Sequence, residues 1–471
     1  MTQVSELPGP RPWPVVGNSL QVTLDGFHRE LEAWAVRHGS VYQLRFGATP
    51  AVVVSDPELL RELLKRRPDR VRRQAKMQRV AEELGVDGLF TAEGARWRKQ
   101  RKLMNTAFAP RHVRSLASKL IEITERLRAH WQRAADRGEL VDVHADLRRY
   151  TVDVTMIVAF GEDVDTLRQG EGSGFRGQLE ALFPGFHQRL RALWPYWRVI
   201  KLPRDRKLEA QAAALRAEVG RRIESTRACL DARDLAHAPA PANLLEAMLL
   251  ARDEDDPKLR LDDEEIFANA VTILLAGEDT TSNTAAWMLD ALARTPAVAE
   301  RLREEVDAEL GSARVAPDLD HLSRMPYLGG AAQEALRLRS AAPVMFLETL
   351  EAQRLGELEL PAGILIVALT RVQALSDERF DDPTRFDPAR WIDAEREPDA
   401  THDPRALLSF GYGPRICPGR ALALLELGLI GSMVARNFEL EPVSASEPAE
   451  LFGFTMSPTQ VRLRLRGRKT R

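Results

Sequence analysis

One ten-residue stretch concentrates the chemistry of this chain: Phe410-Gly411-Tyr412-Gly413-Pro414-Arg415-Ile416-Cys417-Pro418-Gly419. Its glycines let the backbone turn tightly and lie close to a ligand. Pro418 suits the first position of a helix, which puts a helix N-terminus just behind the Cys417 sulfur. The positive end of that helix and its open N–H groups favour a thiolate at neutral pH. A thiolate acts as a nucleophile or as a metal ligand. A nucleophile wants a nearby base, and none of the nine histidines lies in the loop. A ligand wants a metal that something else already holds, since one cysteine is not a zinc site. Iron in a porphyrin meets that requirement. A buried structural cysteine is the bland alternative for an isolated cysteine, and the complete string argues against it.

A second string, Ala276-Gly277-Glu278-Asp279-Thr280-Thr281, interrupts an apolar helical pattern. Gly and Thr cost up to ~1 kcal/mol each against Ala in a helix. Placing them with an acidic pair between apolar stretches breaks local rules, which points to a functional site; a solvated polar face is the bland alternative for the string alone. Gly277 would let something flat approach, and a Thr hydroxyl can bond back into its own helix and loosen it. Glu334 and Arg337 share a helix face at i,i+3, a pairing worth only ~0.2–0.5 kcal/mol at a surface. The pair gains weight from Phe386-Asp387-Pro388-Ala389-Arg390-Trp391 downstream. Trp97 and Arg101 face one way at i,i+4, while Arg98, Lys99 and Lys102 point elsewhere. Those outer charges are either a solvated basic face or a docking face for an acidic protein.

Together these strings resemble the cytochrome P450 family, and the resemblance covers nearly the whole chain. The defining positions of the family's haem-binding motif are present as Phe410, Gly413, Arg415, Cys417 and Gly419, followed by a fitting Ala423-x-x-Glu426. The resemblance implies haem b (iron protoporphyrin IX) with Cys417 as the proximal iron ligand and Arg415 on a propionate. It makes Ala276 and Gly277 cofactor neighbours, and Asp279 and Thr280 the proton relay of dioxygen activation. Trp97 and Arg101 would hold a propionate, and Glu334, Arg337 and Arg390 would lock the haem-side loop in a structural role. By segment, the pocket candidates are Leu89, Phe90, Ala276, Val344, Met345, Phe346, Phe454 and Thr455. They are almost entirely apolar, so the expected substrate is a small hydrophobic molecule: a fatty acid, terpenoid or steroid. The chain departs from the family pattern twice. Val344–Glu348 lacks the Arg that often follows the Glu-x-x-Arg pair, and Leu375-Ser376-Asp377 keeps only the Asp of a usual His-Arg-Asp. Both departures concern how the propionates are held.

The implied activity is that of a soluble, bacterial-type haem-thiolate monooxygenase. It inserts one atom of O2 into an unactivated C–H or C=C bond. No flavin or iron–sulfur segment fits in the chain, so electrons are expected from a separate ferredoxin or flavodoxin with its reductase. The rivals are a peroxide-driven peroxygenase, which often lacks the acid–threonine pair, and a haem-binding sensor without turnover.

The elements that must position these residues are mostly helical. The proline-rich lead Pro8–Pro14 reads as extended. Two strands follow at Ser40–Phe46 and Pro50–Val54, then helices from about Asp56 to Gly161. The aromatic run Phe183–Trp197 is either a loop packed on the core or a lid over an apolar site. Ala236–Ala242 and Asp253–Pro257 read as surface connections. Asp262 opens a helix that runs to Arg294, stopped by Pro296, about 33 residues and roughly 50 Å long. A helix at Pro326–Arg339, strand-like Leu347–Thr370 with turns at Gly356 and Pro361–Gly363, loop from Ser376 to Pro404, and a last helix from near Cys417 complete the order. The expected fold is mainly α with minor β, its long central helix crossing the haem beside a small β-rich part.

Composition agrees. Hydrophobic residues are 44% and charged residues 29%, which excludes wholesale disorder. The 67 basic and 69 acidic residues nearly cancel, against a nucleic-acid partner. Two cysteines, Cys229 and Cys417, exclude a disulfide framework. The apolar runs Ala270–Leu275 and Gly363–Leu369 fall far short of the ~20 residues of a membrane helix, and Leu422–Ala435 contains Glu426. No membrane anchor is expected, and the location expected is cytoplasmic. With no repeat and no low-complexity linker, residues 1–471 are expected to form one interwoven domain without a fused reductase.

Overall fold

The computed structural model describes residues 2–23, 25–108, 110–169, 185–190, 192, 194–233, 241–252, 256, 258–392 and 401–468. Phe183, most of the Ala236–Ala242 connection and most of the Asp253–Pro257 run lie outside the described residues. The chain divides into two compact units, each assembled from separate stretches of sequence: Met1–Arg72, Ile121–Arg148 and Asp279–Arg471 in the first, Arg73–Leu120 and Arg149–Glu278 in the second.

The first unit holds a five-stranded mixed sheet in the order Val41–Phe46, Thr49–Val54, Leu365–Leu369, Val344–Thr349, Val71–Arg73. The two N-terminal strands form a hairpin, and Thr49–Val54 runs parallel to Leu365–Leu369 with Ala51 opposite Leu365. Every residue of Leu365–Leu369 is buried. The reason is that helices cover both faces. Ile366 and Ala368 pack with Leu60, Leu63 and Leu64 of helix Pro57–Lys65. Leu365, Val367 and Leu369 pack with Leu31 and Trp34 of helix Phe27–His38. A strand buried on both sides reads as a continuous apolar run rather than an alternating one. Prolines at the first turns of Pro57–Lys65, Pro296–Leu310 and Pro326–Leu338 set the helix starts, where a missing N–H costs nothing. Short strands at Val71–Arg73 and Leu140–Asp142 interrupt a region whose pattern predicts helix alone. Both are three residues long and exist by pairing with distant strands, so local pattern does not reveal them.

The second unit is helical around one apolar cluster. Trp97, Leu103 and Met104 of helix Gly94–Ala107 meet Val152 and Met156 of helix Val143–Phe160 and Phe267, Val271 and Leu274 of the long helix.

That long helix spans Asp263–Arg294, 32 residues. Asp262 Oδ1 accepts from the Glu265 N–H at 2.8 Å, and Glu265 Oε2 accepts from the Asp262 N–H at 3.1 Å. This reciprocal capping box satisfies donors that the first turn leaves open.

Candidate active site

The cysteine loop is shaped by its glycines. Gly411 and Gly413 both have φ of +71°. At Gly413 a Cβ would lie 2.8 Å from the Leu64 carbonyl oxygen, so the loop can pass helix Pro57–Lys65 only as glycine. The Cys417 N–H donates to the Phe410 carbonyl at 2.9 Å and the Ile416 N–H to that of Gly413 at 3.1 Å. The Ser409 hydroxyl donates to the Leu336 carbonyl at 2.8 Å, and the Arg61 guanidinium lies over the Tyr412 ring, 4.1 Å from its centre. Cys417 is exposed and in no disulfide, and Arg415 is half-buried.

The following helix is Arg420–Asn437 with Gly419 as N-cap, so Pro418 stands in the turn before it and not at its first position. The turn Cys417–Arg420 uses the proline, and the helix begins only where the Gly419 carbonyl accepts from Ala423 at 2.9 Å. The sulfur still faces that helix end: a Cβ on Gly419 would be 3.9 Å from Cys417 Sγ. Glu426, two turns into the helix, is buried, and burial pushes its carboxyl well above the ordinary range.

Behind the loop, Glu334 is a hub with no exposure. Arg337 donates to its two carboxylate oxygens at 2.9 and 2.7 Å, Arg390 at 2.9 Å and the Trp391 indole at 2.8 Å. Arg337 also donates to the carbonyls of Ala374 and Pro383, both at 2.6 Å. A pair that would count for little at a surface here fixes three stretches of irregular backbone.

On the long helix Ala276 is exposed, and Asp279 and Thr280 are half-exposed, while Thr281, Ser282 and Asn283 are buried. Thr284 donates to the Thr280 carbonyl at 2.8 Å, the back-bonding that the threonine-rich string suggests, displaced by one turn. At Gly277 a Cβ would lie 2.9 Å from Thr155 Oγ1, so the missing side chain makes room for Thr155. Asp279 Oδ1 lies 3.5 Å from Arg148 Nε.

In the second unit, Leu89 is held to the long helix by its N–H, which donates to Asn269 Oδ1 at 2.8 Å. Arg73 covers the Phe90 ring at 3.8 Å and donates to the Phe90 carbonyl at 2.7 Å. Trp97 is buried and Arg101 half-buried, with Arg98 and Lys102 exposed. Lys99 departs from the outward-facing set: its ammonium lies 2.6 Å from Glu265 Oε2, part of the helix cap.

The family described as Cytochrome P450 matches residues 7–464. The chain belongs to the cytochrome P450 family. Mouse mitochondrial 1,25-dihydroxyvitamin D(3) 24-hydroxylase is similar at 25% identity, covering 95% of this chain and 86% of its own. Cyclooctat-9-en-7-ol 5-monooxygenase of Streptomyces melanosporofaciens is similar at 28%, covering 93% and 92%. Among solved structures, the cytochrome P450DA heme domain superposes with a TM-score of 0.86 at 26% identity, covering 100% of this chain and 98% of its own.

As a P450 the chain binds haem b and is a haem-thiolate monooxygenase. The residues present fit that cofactor: an exposed cysteine sulfur stands against a helix N-terminus, on a loop braced from behind by Leu64, Leu336 and the Glu334 hub. Side chains alternate along strand Val344–Thr349 of this P450. Val344 and Phe346 turn to the side of helix Phe27–His38, with Phe346 5.9 Å from the Phe27 ring centre, and Met345 turns to the opposite face. The hairpin Glu450–Phe452/Met456–Pro458 carries Phe454 and Thr455 on its turn. Asn283 donates to Thr455 Oγ1 at 3.2 Å.

Sequence reasoning missed Trp391, Asn269, Asn283, His144 and Arg371. Asn269 had a readable signal, an amide inside an apolar run of the long helix, whereas Asn283 lies within the polar stretch Glu278–Thr284 and does not stand out from it. Arg371 had none, because its partners Glu32 and Glu450 are distant in sequence. Among the described residues no helix is long and apolar enough to cross a membrane.

Proposed function

We propose that this P450 oxidises a small hydrophobic molecule at a C–H or C=C bond, in the cytoplasm, with electrons from a separate ferredoxin or flavodoxin and its reductase. The observation that carries the site assignment is the Cys417 loop, which presents one exposed sulfur at a helix N-terminus. Bound haem supplies dioxygen activation and oxygen transfer. Cys417 is its thiolate ligand, and the helix dipole behind the sulfur favours the charged form. Arg415 and Arg101 would pair with the propionates, and Trp97 would hold one by donating its indole N–H. Asp279 and Thr280 would hold and pass protons, and Asp279, half-exposed, would link them with solvent. The apolar candidates Leu89, Phe90 and Phe454 exclude water and bind by area. Residues 1–471 form one family domain that includes both units. Within the given residues two cysteines cannot hold an iron–sulfur centre, which supports electrons arriving from outside this stretch of chain.

The test is a carbon monoxide difference spectrum of the dithionite-reduced protein, followed by turnover with reconstituted partners. A strongly red-shifted Soret band that disappears in Cys417→Ala is expected, with product formed only when reductant is supplied. A band at the ordinary haem position would overturn the ligand assignment. Product from peroxide alone would favour a peroxygenase, and no product under any condition a sensor.

A further inference from the structure

A polar chain leaves the long helix where the pocket candidates are otherwise apolar. His144 Nε2 lies 2.7 Å from Asn283 Oδ1, and Asn283 Nδ2 lies 3.2 Å from Thr455 Oγ1. An amide oxygen only accepts, so His144 donates to it. That bond fixes which way the amide points and sends its N–H groups toward Thr455. Thr455 Oγ1 therefore accepts, and its own O–H remains to be donated. Among the described residues that O–H finds no acceptor, although Thr455 is only 9% exposed and Asn283 2%. A buried hydroxyl with an unused donor is costly unless something else takes the hydrogen bond.

Position says what that something is. Asn283 stands one turn after Thr280 and Asp279, on the same side of the long helix. Thr455 sits on the tight turn of its hairpin, whose first strand is tied to Arg371 and His28 through Glu450 and whose second begins with the Met456 N–H on the Ala341 carbonyl at 2.9 Å. The turn is held at both ends, so the hydroxyl direction is set before a ligand arrives. Of the pocket candidates named from the sequence, Thr455 alone carries a polar side chain.

We propose that Thr455 is a specificity-determining residue that donates a hydrogen bond to an oxygen acceptor, a ketone or hydroxyl oxygen, on an otherwise apolar substrate, with Asn283 and His144 as positioning residues behind it. The proposal rests on the monooxygenase reading and on the hairpin turn facing its pocket.

The test uses haem-loaded enzyme and two probes of matched shape, cyclododecane and cyclododecanone, with affinity read from the substrate-induced Soret shift. Wild type binds the ketone about tenfold more tightly than the hydrocarbon, the effect of one buried hydrogen bond. Thr455→Val removes that ratio by weakening the ketone more than the hydrocarbon, and Thr455→Ser retains it. His144→Phe reduces the ratio by loosening the amide. Structural damage alone would weaken both probes in parallel. An undiminished ratio in Thr455→Val, no preference in wild type, or no shift with either probe overturns the proposal. The carbon monoxide band of the same samples separates the two levels: if it stays in place, the inference fails alone; if it is absent, the monooxygenase reading fails with it.

Discussion

Glu450 makes a sharp stability prediction. Its carboxylate is 7% exposed and receives the His28 imidazole at 2.7 Å and Arg371 at 2.6 and 3.2 Å, with Arg339 also paired to it. Burial by itself raises the carboxyl pKa. Hydrogen bonds from His28 and Arg371 and the charges of Arg371 and Arg339 outweigh it and hold the group far below the ordinary carboxylate range. Glu450→Gln keeps the shape and removes the charge. Arg371, 4% exposed, then keeps Glu32, 2.7 Å away, as its one carboxylate partner among the described residues. Removing one partner of a buried pair costs ~3–5 kcal/mol, and the remaining Glu32 puts this case near ~3 kcal/mol. For a cooperative unit of about 300 residues that lowers Tm by roughly 5 °C. The pH dependence has a definite sign. The folded pKa is depressed, so the stabilisation is complete above the unfolded value near ~4.3 and is lost as pH falls toward the folded value. At about pH 3.5 the gap between wild type and variant narrows by ~1 kcal/mol. The assay is thermal unfolding of both proteins from pH 7 to 3.5 by near-UV circular dichroism. Equal Tm at pH 7, or a gap that widens on acidification, would refute the assigned network.

Other consequences separate geometry from chemistry. Gly413→Ala is expected to cost ~1–3 kcal/mol more than Gly411→Ala, although both have φ of +71°. Only Gly413 would drive its Cβ into the Leu64 carbonyl, and equal melting temperatures would contradict this. Asp279→Asn is expected to leave the carbon monoxide band in place and reduce product formation ~10²-fold, the usual scale for a positioned acid–base group. An unchanged rate in the reconstituted system would exclude Asp279 from proton delivery.

The readable features share one property: each is written in residues close together. The Cys417 loop follows from glycines at positions of positive φ and a cysteine before a helix. The long helix was delimited to within a residue at its start, because its capping box and its Pro296 stop are both local. The helix after Cys417 was placed three residues early, since Pro418 serves a turn as readily as a first helical position. Lys99 was read as an outward charge because nothing local reveals Glu265, its partner on another helix. Naming Val344, Met345 and Phe346 by segment does not say which way each turns, and the strand pleat divides them between two faces.

Residue type and short spacing thus determined the family, the cofactor chemistry and the cysteine that serves it, because a thiolate ligand and its tight loop need a contiguous string. Tertiary structure alone decided what stands behind that string. The sheet that joins residues 41–54 to 344–369, the Arg371–Glu450 network and the His144–Asn283–Thr455 chain all join residues far apart in sequence. Such contacts form only when packing has already brought distant segments together, so no local pattern encodes them.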